Sequence, residues 1–287
     1  VSSRRAFLAG GLGVAVPAVA GVLTGVLPDG PALRRFLGLT GPAGEIPRVT
    51  PGPSTVERVS SVARGRTLDL VITRPPGAPT DLPVCLALHG RGVGARWFLD
   101  LGVPQFLAAA ALPFAVVAVD GGSSYFVAAT PGDDPQRMLA RELPGWLAER
   151  DLPAPSAVLG ISMGAFGALS LARTRRDLRA VAVAAPALFT TWAEASGRDA
   201  FASQRQWAEE EPLRHTDALA GTPLGIWCGT EDPFVDAART LAARTRPALA
   251  AVTSGAHDED YFRRVLPDML AFVGEHVTAP PKPGGGG

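Results

Sequence analysis

Short, uninterrupted apolar runs constrain this chain more than any other feature. "LPVCLALHG", "PFAVVAVDGG", "PSAVLGIS" and "LRAVAVAAPALF" each read as a strand buried on both faces. Helical spacing fills the gaps between them: Trp97 to Ala111, Asp134 to Arg150 with an interruption at Pro144, and Met163 to Thr174. The alternation resumes with a strand from Leu224 to Cys228, a helix from Asp236 to Arg246, the short strand "ALAAVTSG" and a helix from Asp260 to His276. Such alternation predicts an α/β domain, a mostly parallel central sheet with helices on both faces. Ahead of it, "STVERVSSV" and "RTLDLVITRP" alternate around "ARG", the pattern of a hairpin. One stretch, 187–221, breaks the rhythm. Inserted between two strands, it is expected over their C-terminal edge, either as a short cap over a site or as an ordinary surface excursion.

Size and charge narrow the functional classes. The chain has 287 residues, 47% hydrophobic, enough for one large domain with a proper core. Its 27 basic residues balance 27 acidic ones, so no basic excess points to nucleic acid. The two cysteines, Cys85 and Cys228, lie in strands that are not expected to be neighbours. Several strand spacings of ~4.8 Å together exceed the ~7 Å limit for bridging, which predicts two buried free thiols. Nothing in the sequence resembles a metal-ligand cluster, and no cofactor is implied.

The first 27 residues read as targeting. "SSRRAFLAGGLGVAVPAVAGVLTGVL" sets Arg4 and Arg5 before a long uncharged apolar run, and "SRRAFL" resembles a twin-arginine export signal. The expected partner is the twin-arginine export machinery, and the expected location is outside the cytoplasmic membrane, secreted or held at the cell envelope. The competing reading is a permanent membrane tether, since the run is long enough for a bilayer core of ~30 Å. Residues 28–53 are rich in Pro and Gly and read as a linker, residues 54–277 as the folded domain, and residues 278–287 as a disordered tail.

The chemistry concentrates where strands end. Gly160-Ile161-Ser162-Met163-Gly164 fits Gly-x-Ser-x-Gly between a strand and a helix. That sharp turn strains the serine, admits only small residues two positions away, and places Ser162 at a helix N-terminus whose dipole favours negative charge. An oxyanion would take the N–H of Met163 and a second N–H from an earlier loop, here Arg91 in "LHGRGVG". A base must follow the serine. His257, in "SGAHDEDYF" between a strand and a helix, is preferred, with His215 and His276 as alternatives; His89 precedes the serine and is expected to brace its loop. For the acid, "GTEDPF" offers Asp232, with Glu231 and Asp236 as alternatives. Tyr125, Phe126, Trp97 and Trp192 are candidates for the pocket wall.

From about Leu82 to His276 the chain resembles an α/β-hydrolase of the esterase group that takes in esterase D-like enzymes, feruloyl and acetylxylan esterases and the secreted mycolyltransferases. The motifs that carry the resemblance are "LHGRG", "VDGGSSYF", "GDDPQRMLARELPGWL", "GISMGAFGALSLA", "GTEDPF" and "GAHDEDYFRRVLPDMLAFV". Two features depart from the group: Tyr261 and Phe262 stand displaced by acidic residues after the His-Asp pair, and Arg91 puts a bulky charge in the oxyanion loop. The resemblance implies an α/β-hydrolase fold and a triad of Ser162, Asp232 and His257. It implies a carboxylesterase acting on a small-molecule or glycolipid ester. An acyltransferase of the cell envelope with the same triad, or a non-catalytic envelope-binding module, are the alternatives.

Overall fold

A computed structural model describes residues 38, 40–79, 81–128 and 130–278. The expected signal or anchor at 1–27 lies outside the described residues, as does most of the expected tail. Among the described residues, no helix is long and apolar enough to cross a membrane.

The strands are β1 (Ser54–Ser61), β2 (Arg66–Thr73), β3 (Val84–Leu88), β4 (Ala115–Val119), β5 (Ala157–Ile161), β6 (Ala180–Ala184), β7 (Leu224–Gly229) and β8 (Leu249–Thr253). They form one sheet in the order β1-β2-β4-β3-β5-β6-β7-β8. β1 and β2 are the antiparallel hairpin, β2 pairs antiparallel with β4, and every later pairing is parallel. Two strands separate β3 from β7, and Cys85 and Cys228 are both free and buried.

Each apolar run divides its side chains between two cores. Val84, Leu86 and Leu88 of β3 and Val181 and Val183 of β6 face one core. Cys85 and Ala87, and Ala180, Ala182 and Ala184, face the other. In these two strands, period-two projection puts the larger branched residues on one side and small ones on the opposite side. The small face receives α1 (Trp97–Asp100), α2 (Val103–Ala109) and the long α9 (Glu259–Thr278), whose Leu266, Met269, Leu270 and Val273 are buried there. The branched face receives α3 (Pro135–Arg137), a π turn (Met138–Glu142), α4 (Leu143–Ala148), α5 (Met163–Thr174) and α8 (Val235–Thr245).

Helix expectations needed small revisions. The stretch 97–111 is two helices, broken where Gly102 takes φ 92°. The stretch 134–150 stays helical through Pro144 because a π turn ends at the preceding turn and Pro144 enters as the first turn of α4. The insertion holds α6 (Trp192–Ser196), α7 (Gln204–Glu210) and two 3₁₀ turns. Trp207, Leu213 and Leu219 bury it in the same core as α5 and α8, and Arg173 and Arg244 donate to its backbone carbonyls.

Residues 40–53, expected as part of a linker, pack on the domain. The Arg264 guanidinium of α9 donates to the carbonyls of Thr40 and Pro42, the Gly44 N–H donates to the Asp260 carbonyl, and Ile46 lies over Gly102. Pro and Gly content marked the absence of regular structure here, and tertiary hydrogen bonds ordered the segment regardless. At the other end, Thr278, expected to open the tail, is the last residue of α9.

Candidate active site

The site is built at the C-terminal ends of the parallel strands, where loops leave a sheet that is itself rigid. Ser162 sits between β5 and α5 with φ 58° and ψ −118°, the strained turn the motif demands. Its flanking glycines are required by contact. A Cβ on Gly160 would collide with the Gly164 carbonyl, and one on Gly164 with the Leu88 carbonyl of β3. The Ser162 N–H donates to the Ala184 carbonyl at 2.9 Å, fastening the turn to the end of β6.

Two further loops meet it. Ser162 Oγ lies 2.9 Å from His257 Nε2, and His257 Nδ1 lies 2.7 Å from Asp232 Oδ2. Asp232 follows β7 and its side chain is fully buried; its other oxygen accepts the Phe234 N–H at 2.8 Å. The carboxylate therefore accepts a hydrogen bond from Nδ1–H, and Nε2 presents a lone pair to the serine hydroxyl. Phe234 and Phe262 hold the imidazole edge-on, with centroids at 5.4 and 5.2 Å. The alternatives fall elsewhere. Asp236 pairs with Arg239, His215 lies 3.3 Å from the Ala208 carbonyl, and His276 binds the Phe272 carbonyl near the end of α9. Glu231 is half-buried beside Asp232 and has its own partner.

A cleft of about 400 Å³ opens over Ser162 and His257. The loop after β3 runs along it: Gly90 and Arg91 line the cleft, and a Cβ on Gly90 would sit 3.7 Å from the Ser162 Cβ. Met163 is the first residue of α5, a position whose N–H has no partner within the helix. Trp97 lines the wall, its Nε1 donating to Glu259 at 2.8 Å and its ring edge-on to Phe262. Tyr125 also lines it, buried among Phe166, Phe189 and Phe201.

Two expected wall residues are not there. Phe126 is fully buried, its ring laid against Gly121 and Gly167 and tilted on His89. Consecutive left-handed residues at Tyr125 (φ 58°) and Phe126 (φ 57°) send one ring to the cleft and the next into the core. Trp192 stacks on Trp207 inside the insertion, with centroids 6.2 Å apart. The insertion contributes Arg198 to the cleft instead.

A supporting layer lies behind the cleft, and its Asp120 and Arg64 escaped the sequence. His89 is fully buried and accepts the Gly121 N–H at Nε2, leaving Nδ1 to donate to the Gly90 carbonyl. It braces its loop, as expected, by joining the ends of β3 and β4. Burial holds its ring below the usual histidine range, which keeps it in this neutral form. Asp120 accepts the N–H groups of Ala95 and Asp69, and Arg64 donates to the carbonyls of Asp120 and Gly121. The visible signal for Asp120 was a carboxylate ending an apolar strand, "VVAVD". Arg64 in a hairpin turn carried none.

Solved structures share this architecture. A ferulic acid esterase superposes with a TM-score of 0.67 at 17% identity, covering 79% of this chain and 99% of its own. An S-formylglutathione hydrolase from Agrobacterium tumefaciens gives 0.67 at 17% identity, over 81% and 98%. A fluorophosphonate-binding serine hydrolase F from Staphylococcus aureus gives 0.64 at 16%, over 78% and 99%. At such identities the likeness establishes the α/β-hydrolase fold. No curated protein matches the chain in sequence. The family model named Esterase, described as "Putative esterase", matches residues 61–273, which take in strands β2 to β8, the serine turn and both later loops. The chain belongs to that esterase family, and its class of activity is carboxylic ester hydrolysis.

Proposed function

We propose that the chain hydrolyses carboxylic esters through an acyl-enzyme on Ser162, with His257 as base and acid and Asp232 orienting it. One observation carries this reading: the two hydrogen bonds of 2.9 and 2.7 Å that link a left-handed serine, an imidazole and a buried carboxylate beneath one cleft. Ser162 Oγ bonds to the ester carbonyl carbon while its proton passes to His257 Nε2. The carbonyl oxygen, now an oxyanion, takes the N–H groups of Met163 and Arg91. The imidazolium, stabilised by Asp232, protonates the departing alkoxide as the C–O bond breaks. A water then gives its proton to His257 and attacks the acyl carbon. Collapse releases the acid and returns a proton to Ser162. Trp97 and Tyr125 wall the substrate. The His257 side chain is 26% exposed, so an incoming hydroxyl can reach the acyl-enzyme, and membership of an esterase family favours water over a sugar hydroxyl as that acceptor.

A fluorophosphonate probe and a set of esters of increasing acyl length test this. Wild type should label and turn over, and Ser162→Ala should do neither, with kcat down by about 10⁴-fold or more. Labelling that survives the substitution would reject Ser162 as nucleophile. Incubation with a sugar acceptor should yield free acid rather than acylated sugar.

The reading includes export. Arg4 and Arg5 ahead of an uncharged apolar run support the twin-arginine route. A reporter fused behind residues 1–53 should be translocated, and changing both arginines to lysine should retain it in the cytoplasm. Translocation of the double variant would remove that assignment.

A further inference from the structure

Two positive charges flank the reactive serine without a carboxylate to meet them. Arg91, exposed on the loop after β3, and Arg198, half-buried in the insertion, both line the cleft that holds Ser162. Neither forms an ion pair among the described residues. Elsewhere arginines near this edge are matched: Arg64 with Asp133, Arg96 with Asp69 and Arg263 with Glu259. The Arg198 guanidinium lies over the rings of Phe189 and Phe234, 5.7 and 5.4 Å from their centroids. Phe234 is the same ring that meets His257 edge-on. Aromatic faces position a guanidinium and strip water from it, yet leave its charge whole and its N–H fork free.

Two carboxylates share the cleft. Glu259 is matched by Arg263 and accepts from Trp97 Nε1 with its other oxygen, while Asp258 accepts the Tyr261 N–H at the start of α9 and, by formal charge, offsets one of the two guanidinium groups, so one positive charge is left over. Tyr125 lines the same cleft as the two arginines. Burial raises its phenol above the usual range, and the charges of Arg198 and Arg91 both pull against that rise.

We infer that the cleft selects esters carrying a negatively charged group near the scissile bond, held by the guanidinium groups of Arg91 and Arg198. This rests on the esterase reading above. The charge has two sources, the acyl group or the alcohol, and either places a carboxylate within reach of a site beside Ser162. Arg198 is the sharper probe, because the Arg91 backbone N–H is also assigned to the oxyanion.

The experiment compares matched pairs of esters in wild type, Arg198→Gln and Arg198→Lys, with Ser162→Ala as blank. The acyl-side pair is the 4-nitrophenyl monoester of glutarate against 4-nitrophenyl pentanoate. The alcohol-side pair is the pentanoate ester of 4-hydroxybenzoate against that of 4-hydroxybenzamide. The readout is the ratio of kcat/KM, anionic over neutral, which cancels intrinsic ester reactivity when enzymes are compared. In one pair this ratio should fall about tenfold in Arg198→Gln, mainly through KM, and recover in Arg198→Lys. The pair that responds tells which side of the ester bears the charge. If Arg198→Gln does not fold, the wild-type ratio still decides, because it should drop as salt rises from about 0.05 to about 0.5 M. Ratios insensitive to Arg198→Gln and to salt, in a wild type that turns over the neutral esters, would overturn the charge preference alone. A wild type that hydrolyses none of the four would overturn the esterase reading and this inference together.

Discussion

Asp232 gives one oxygen to the His257 ring and the other to the backbone N–H of Phe234. The second bond locks the carboxylate in the turn after β7, so the first meets the ring at a fixed angle. Asp232→Asn keeps size and packing but turns an amide NH₂ toward Nδ1, or swings the amide and faces it to Phe234. In the first case the ring must take the tautomer that carries its proton on Nε2, where it cannot accept from Ser162. We expect kcat to fall about 10⁴-fold with little change in KM for a short neutral ester, checked by steady-state kinetics. A fall of less than tenfold would mean that Asp232 does not orient the base. At this scale the sequence was most legible. Ser162, Asp232 and His257 each stand directly after an apolar strand, and the order of strands in a parallel sheet brings those ends together. Phe126 and Trp192 were not legible, because an aromatic in a loop carries no sign of which way it faces. Two successive left-handed residues decided Phe126, and a partner ring fifteen residues on in sequence decided Trp192. Arg198 was hidden in the same way, in a stretch with no periodicity to place it.

Among the elements, the insertion has the least regular structure and the most unusual anchor. Glu211 is completely buried at the end of α7 and accepts N–H bonds from Phe189, Leu213 and the Trp207 indole. These donors favour the anion, but burial outweighs them and pushes the carboxyl up to about 7 from an ordinary 4.5. Between those two values the unfolded chain has released this proton and the folded chain still holds it. The folded state binds more protons there, so stability falls as pH rises through the window, by roughly 3 kcal/mol at most. Carboxylates held low by arginines, such as Asp69 beside Arg96 and Asp177 beside Arg175, act in the opposite sense and at lower pH. The His89 ring, held low by burial, acts in the opposite sense below its ordinary value, so the test is a difference: as pH rises from about 5 to about 7.5, the Tm of wild type should fall relative to that of Glu211→Gln. An unchanged slope in the variant would mean that Glu211 is already ionised at pH 5. The acidic run Glu209 to Glu211 gave no hint of this role, since a run of three carboxylates reads as a solvated face. Only the core contacts of Trp207 and Leu213 turn the third of them inward.

At the scale of the whole molecule, strand and helix patterning opens the domain at Ser54, yet residues 40–46 lie against α9 and the start of α2. Arg264 is the hinge of this arrangement: it donates to the Thr40 and Pro42 carbonyls on one side and to the Ser254 carbonyl on the other. Ser254 opens the loop that carries His257, and the Tyr261 ring lies beneath the same guanidinium, 5.1 Å from its centre. The preceding segment is thus joined through one side chain to the loop that positions the base. A chain beginning at residue 54 loses those carbonyls, the Gly44 bond to Asp260 and the cover of Ile46 over Gly102. Each hydrogen bond contributes on the order of 1 kcal/mol net, offset by the entropy the freed segment would have lost. Such a chain should melt below one beginning at residue 38, by about 2–4 °C for each kcal/mol of net loss in a domain of this size. Its kcat should fall as well, because the loop at 254–258 loses its outer support, whereas a segment that merely covered surface would lower Tm and leave kcat alone. Scanning calorimetry and ester turnover on the two chains separate these outcomes. Equal melting temperatures would return residues 40–53 to the linker that proline and glycine alone describe.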